Sequence, residues 1–431
     1  MISPADVRQT MLSQTMKPVM EVLYGPDPEV LTEQADRWQH LADLFSDCFP
    51  KHDQVRLFST PGRTEIGGNH TDHQRGRVLC ASVELDIIAI AAPNQDNIIR
   101  LQSEGFPHMD VIDLTHLEPI DVEKEHSASL IRGIASAFRQ RGCTIGGFDA
   151  YTTSRVPKGS GLSSSAAFEV LVATVLDEMW NGSRLSPVDR AIIGQYAENN
   201  YFGKPSGLMD QCGCSVGGFM AIDFLDPSKP DVQPIDLDFA ATGHVLVITN
   251  TGGSHADLTA DYASIPHDMR KVAAQFGLSV LRAVDEAQFW QKLPGLRDLV
   301  GDRALLRAIH FFQDNERVRL QAKALNRRDF AAFLTLVQKS GLSSRAQLQN
   351  VYSDRYPQEQ PISLALSVSE KILDGRGACR VHGGGFAGTI QAFVPNECVA
   401  AYLEAMRALF GEQAPWQMRI RSLGSVELTG A

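Results

Sequence analysis

Four short strings in this chain of 431 residues carry side chains able to do chemistry. The first is Val156-Pro157-Lys158-Gly159-Ser160-Gly161-Leu162-Ser163-Ser164-Ser165-Ala166-Ala167. Two close glycines and three consecutive hydroxyls precede an apolar run with helical spacing. Such a loop exposes backbone N–H groups, and the helix behind it aims its positive dipole end at whatever the loop holds, most simply a phosphate. A serine- and glycine-rich helix cap accounts for a bare Gly-Ser-Gly but not for the whole string. No Lys stands in the Walker A position, so this is not a P-loop.

The second string, Pro61-Gly62-Arg63-Thr64-Glu65-Ile66-Gly67-Gly68-Asn69-His70-Thr71-Asp72-His73, packs Arg, His and Asp onto a Gly-rich loop after a strand. Carboxylates and imidazoles of this kind hold a ring of sugar hydroxyls. A polar surface loop with turn glycines is the competing reading. The third is Gly207-Leu208-Met209-Asp210-Gln211, with Glu198 twelve residues before Asp210. The fourth, His382-Gly383-Gly384-Gly385-Phe386-Ala387-Gly388, matches G-x-G-x-x-G. A strand-like run follows it, whereas the dinucleotide fingerprint opens a helix, so that reading fails.

The first string resembles motif 2 of the GHMP kinases, P-x-G-x-G-L-x-S-S-A-A. The fourth is similar to their motif 3, G-x-G-F-G-G, with Ala387 in place of one glycine. The second resembles the galactokinase motif G-R-x-N-x-I-G-E-H-x-D-Y. Arg63, Gly68, His70, Thr71 and Asp72 match it, while Glu65 replaces Asn, Gly67 Ile, Asn69 Glu and His73 Tyr. The third looks like the galactokinase G-I-M-D-Q. The motifs fall in the expected order, and the likeness runs from about residue 55 to the C-terminus.

That resemblance implies an α+β, two-lobed GHMP kinase fold. The N-terminal lobe would hold a mixed sheet and helices, the C-terminal lobe would be α/β, and the active site would lie in the cleft between them. It implies an ATP-dependent sugar 1-kinase acting on galactose or a close relative with MgATP. Asp210 is then the base and Arg63 the neighbouring charge stabiliser. Pro157, Gly159, Ser160, Gly161, Leu162, Ser163 and Ser164 cradle the nucleotide, and Ser165 and Glu198 are the Mg²⁺ partners. Asn69, His70, Asp72, Gly207 and Tyr262 hold the sugar, since the family's Glu at the Asn69 position contacts a sugar hydroxyl. On that reading Asn69→Glu raises activity on galactose. The departures at Asn69 and His73 also fit an N-acetylated, 6-deoxy or pentose sugar. A sugar sensor without turnover is a further alternative, against which the intact Arg63, Asp210, Glu198 and Ser165 argue.

Composition supports an ordinary globular protein, 43% hydrophobic and 21% charged, long enough for two domains. A net charge of −11 without a basic block disfavours nucleic acid and anionic membranes as partners. No run of 18 apolar residues and no signal-peptide pattern is present, and the seven cysteines include no C-x-x-C. Reduced thiols in a cytoplasmic protein are expected. The oligomeric state is left open, and a monomer is compatible with the sequence.

The elements that must position these strings follow from periodicity. Residues 1–50 read as a helical extension, 51–235 as the first lobe and 236–431 as the second. Residues 54–60 look like a strand ending at Pro61-Gly62, 78–92 like buried strands, 128–141 like an amphipathic helix and 147–155 like a strand feeding the first string. Residues 164–180 are helical, and Ser186-Pro187 opens a helix with Asp189 in the capping-box position. Residues 244–250 read as a strand, the chain beyond about 257 as mainly helical to 350, and the remainder as mixed.

Overall fold

Arg77 to Pro93 is rich in small and β-branched residues and almost wholly buried. A strand covered on both faces reads as a continuous apolar run rather than an alternating one. The computed structural model describes residues 1–157, 161–204, 206–252 and 258–429, so Gly159 and Ser160 of the expected phosphate cradle lie outside the described residues.

The chain begins with α1 (Val7–Met11), α2 (Lys17–Tyr24) and α3 (Pro28–Cys48). Next come β1 (Arg56–Gly67), β2 (Arg77–Pro93), β3 (Ile98–Ser103), β4 (Asp110–Asp113), α4 (Ser127–Gln140) and β5 (Phe148–Ser154). Then follow α5 (Ser164–Trp180), α6 (Pro187–Ala197), α7 (Met209–Val216), β6 (Phe219–Asp223), β7 (Asp231–Ile235) and β8 (His244–Asn250). Four helices come next: α8 (Thr259–Ala274), α9 (Glu286–Val300), α10 (Asp302–Asn326) and α11 (Phe330–Ser343). The chain closes with α12 (Pro361–Leu373), β9 (Ala378–His382), β10 (Thr389–Pro395), α13 (Val399–Phe410), β11 (Pro415–Met418) and β12 (Val426–Glu427).

The larger sheet runs β12-β1-β2-β5-β3-β4, with β6 on the first part of β2 and β7 on β6. Only β3 and β5 among these described strands run parallel. The smaller sheet, β11-β8-β10-β9, is antiparallel throughout. Side chains alternate across each strand, and the larger sheet uses both faces. Phe58, Ile87, Ala89 and Ala91 pack with α4 and α5, while Leu57, Ile88, Ile90 and Ala92 pack with α1–α3. The N-terminal helices are therefore a second layer on this sheet.

One boundary differs from the pattern in the sequence. β1 does not end at Pro61-Gly62 but continues to Gly67. Pro61 stands opposite Asp86, and the ladder slips directly after it, so that Arg63 faces Ser82. A proline has no N–H to give the ladder, and a bulge is where a strand tolerates one. At the other end of the chain, β12 leaves the smaller sheet's neighbourhood and pairs with β1, Phe58 opposite Glu427.

The helix signals hold locally. Ser186 and Asp189 form the reciprocal capping box at α6, and a π-helical turn at Glu198–Phe202 ends at Gly203 in the left-handed region. All seven cysteines are free. No helix among the described residues is long and apolar enough to cross a membrane.

Candidate active site

β1 carries Arg63 to the first turn of α7, where Asp210 sits. Arg63 donates from Nε to Asp210 Oδ1 at 2.9 Å and from Nη2 to the same oxygen at 2.5 Å. Its third arm, Nη1, reaches the carbonyl of Gly161, and its backbone N–H donates to Leu162 O at 3.1 Å. Ser163, in a left-handed conformation at the head of α5, donates Oγ to Asp210 Oδ2 at 2.7 Å. A methyl group at Gly213 would lie 2.7 Å from Arg63 Cβ, so α7 packs this closely only with glycine there. Burial alone would raise the Asp210 pKa, but Arg63 and the Ser163 hydroxyl hold its carboxyl below the usual carboxylate range. A third of its side chain remains accessible, so an ionised carboxylate faces the open side of the site.

Asp72 and Gly207 meet beside this pair. A methyl group on Gly207 would lie 2.2 Å from Asp72 Oδ2, so only glycine leaves the carboxylate its place. Burial and the nearby Asp210 charge push the Asp72 carboxyl up, against the pull of the His73 N–H. His70 takes a left-handed backbone, bonds Gly384 O through Nε2 at 2.9 Å and meets His73 at 3.4 Å. Burial lowers the pKa of both imidazoles, so both are neutral at physiological pH.

Asn69, expected to hold the sugar, bonds four protein groups. Its Nδ2 donates to Glu65 Oε1 at 3.0 Å and to Gly383 O at 2.8 Å. Its Oδ1 accepts from Ser344 Oγ at 3.2 Å and Asn350 Nδ2 at 2.8 Å. An amide has two donors and two acceptor sites, and all four are used. These partners also fix which way the amide faces, because a flip would set its oxygen against two acceptors. With 1% of Asn69 exposed, no polar atom is left for a ligand. Glu65 in turn pairs with the fully buried Arg380 at 2.7 Å. The Asn and Glu of the family motif have thus changed places, and the carboxylate now faces Arg380 on β9.

Tyr262, on α8, donates its hydroxyl to Gly385 O at 3.0 Å and packs edge-on to Phe386, ring centres 5.5 Å apart. Burial pushes its phenol up to about 12. It braces the Gly-rich loop 383–388. His382, at the start of that loop, bonds Thr389 Oγ1 at 2.9 Å and Thr64 Oγ1 at 3.1 Å. Burial, with Arg63 and Arg380 nearby, pushes His382 down to about 3, so it is neutral.

Glu198, buried after α6, accepts from Lys204 Nζ at 2.7 Å, Gln211 Nε2 at 3.0 Å and Ser206 Oγ. Gln211 Nε2 also donates to Glu169 Oε2 at 2.9 Å, and burial beside Glu198 raises the Glu169 carboxyl well above its ordinary value. Ser164 and Ser165 open α5, and Pro157, the first of the expected cradle residues, is the last described before residue 161. Sequence reasoning missed Glu169, Arg380, Ser344 and Asn350. Their partners lie far away in the chain, and no local pattern marks them.

The arrangement offers an ionised carboxylate clamped by a guanidinium, flanked by a hydroxyl-rich helix start and a second carboxylate. That set can take a proton from an attacking hydroxyl and neutralise charge on a phosphoryl group. The family model for the GHMP kinases N terminal domain matches residues 129–218, and that for the galactokinase galactose-binding signature matches residues 43–93. A galactokinase of Glaesserella parasuis serovar 5 (strain SH0165) is 30% identical over 385 residues, 88% of this chain and 94% of that protein. The crystal structure of Lactococcus lactis galactokinase complexed with galactose has a TM-score of 0.75 at 25% identity, covering 89% of this chain and 98% of the other. The crystal structure of Methanococcus jannaschii mevalonate kinase, at 14% identity and a TM-score of 0.59, shares the fold over 85% of this chain and 98% of its own. The chain belongs to the galactokinase family, has the GHMP kinase fold and is a phosphotransferase.

Proposed function

We propose that this kinase transfers the γ-phosphoryl group of MgATP to the anomeric 1-hydroxyl of galactose or a closely related sugar. The Arg63–Asp210 contact carries the reading, because it keeps a carboxylate ionised where a hydroxyl must lose its proton. The sugar oxygen bonds to phosphorus, its proton passes to Asp210, and the bond to the β-phosphate oxygen breaks to release ADP. Arg63 offsets charge on the transferring group. The 157–164 loop binds the phosphates at the head of α5. Asp72, His70 and Gly207 face the sugar, and Tyr262 acts through the Gly-rich loop.

Ser165 and Glu198 would hold Mg²⁺, their hydroxyl and carboxylate oxygens being the hard donors it prefers. The ion would supply charge neutralisation on the phosphates. It would compete with Lys204, which pairs with Glu198 at 2.7 Å.

A second reading keeps the reaction and changes the sugar. It rests on Asn69, whose amide is spent on protein partners and offers nothing to the hydroxyl that the family's Glu contacts. ADP release with MgATP and galactose, an N-acetylated sugar, a 6-deoxy sugar and a pentose separates the two. Turnover on galactose favours the first reading, turnover only on another sugar the second, and no turnover on any sugar defeats both.

A further inference from the structure

The sheet face covered by α1–α3 is largely apolar, with two buried carboxylates: Asp149, paired with His52 at 2.7 Å and Arg100 at 3.0 Å, and Asp86. The Asp86 carboxylate, fully buried, accepts from Tyr24 Oη at 2.8 Å, Arg37 Nη1 at 2.7 Å, Ser59 Oγ at 2.5 Å and Arg421 Nη1 at 3.4 Å. Tyr24 lies on α2 and Arg37 on α3. The Asp86 carbonyl accepts from Arg37 Nη2 at 3.2 Å and from the backbone N–H of Arg155 at 2.9 Å.

Asp86 occupies the last pair of the β1–β2 ladder before the slip, opposite Pro61. Beyond it, two steps along β1 are matched by four along β2, from Pro61↔Asp86 to Arg63↔Ser82. Across this slip Val83 pairs with Ile420, and the Arg63 N–H turns to Leu162 O. Where the slip begins decides where Arg63 points. Arg155 stands two residues before Pro157, and its guanidinium reaches Glu33 on α3 at 2.6 Å. The strand of Arg63 and the start of the phosphate loop are thus both tied to Asp86, and Asp86 is tied to the N-terminal helices.

Docking these helices needs no charge, since their apolar contacts with Leu57, Ile88 and Ile90 already serve. A buried ion pair gains little stability over an apolar contact, and its best-attested use is to fix register. We infer that α2 and α3 form a positioning element of the active site: Tyr24 and Arg37, through Asp86, fix where β1 parts from β2, and so the aim of Arg63 and the start of the phosphate loop. The inference rests on Arg63 and Asp210 being the catalytic pair.

The test compares Arg37→Met, Arg37→Lys and Tyr24→Phe with Val7→Ala. Val7 is buried in the same apolar layer, on α1, and has no polar side-chain atom to bond Asp86. Steady-state kinetics and deuterium uptake over residues 59–66 are measured at a temperature where all four proteins are folded. Arg37→Met should lower kcat about tenfold or more with KM near wild type and speed exchange around Arg63. Arg37→Lys should recover much of both, and Tyr24→Phe should fall between. Val7→Ala should lower the melting temperature without moving either. Wild-type kcat and exchange in Arg37→Met, or the same kcat loss in Val7→Ala, would overturn the inference. If the wild-type chain phosphorylates no sugar, the catalytic reading fails, and the exchange result alone still decides whether the helices fix β1.

Discussion

Arg63 puts two nitrogens on one oxygen of Asp210, at 2.9 and 2.5 Å, and leaves the other oxygen to Ser163 at 2.7 Å. The carboxylate is thereby held in one orientation and one charge state. Asp210→Asn keeps the shape and removes the proton acceptor. It should lower kcat by about 100- to 10,000-fold while the dissociation constant for ATP, measured by calorimetry, stays near wild type. Wild-type turnover in this variant would remove Asp210 from the chemistry.

The same contact sets a pH dependence. Arg63 favours the ionised form of Asp210 and so lowers its pKa. Activity that needs ionised Asp210 persists as pH falls, until it passes below the ordinary Asp value of about 3.9. The stability from this pairing follows the same sign. It is complete above the unfolded-state pKa and is lost as pH falls through the folded one. Arg63→Met removes the cation and raises the pKa, so the acid limb of its residual kcat should move to higher pH. An unmoved limb would separate the two residues.

At position 69 the side chain that the family motif aims at the sugar bonds four protein groups. A Glu there would face the buried Glu65 carboxylate and the Gly383 carbonyl, which now receive the Asn69 donors. Asn69→Glu should destabilise the fold by about 3 kcal/mol, seen in denaturant melts, with no gain on galactose. The double exchange Glu65→Asn with Asn69→Glu should recover part of that loss, because the two positions share one network. A stable single variant with higher galactose turnover would return position 69 to the sugar.

Gly207→Ala brings a methyl group to 2.2 Å from the Asp72 carboxylate. Displacing Asp72 should raise the sugar KM about tenfold or more, with the KM for ATP little changed. Equal effects on both would indicate a general distortion of the site.

Much of this was legible because it is local. Helical spacing gives α4 and α5, and the Ser186–Asp189 box gives the start of α6. The continuation of β1 past Pro61 was not legible, since a proline normally ends a central strand and the slip that follows it is a matter of pairing with the distant β2. The role of Asn69 was hidden for a similar reason. A polar residue in a Gly-rich loop reads as exposed, and its partners Ser344, Asn350 and Gly383 lie hundreds of residues later. The N-terminal helices were visible as helices, but their grip on Asp86 joins Arg37 to a residue 49 positions away. The pairing of Arg63 with Asp210 came from the family likeness and not from spacing, as 147 positions separate them.

The most direct measurement is phosphorus–proton correlation NMR on the product made by the purified chain from MgATP and its preferred sugar, run beside Asp210→Asn. A phosphate coupled to the anomeric proton, formed by the wild type and absent with the variant, is the predicted result. A phosphate on any other sugar carbon, or the same product formed at the same rate by Asp210→Asn, would contradict the account.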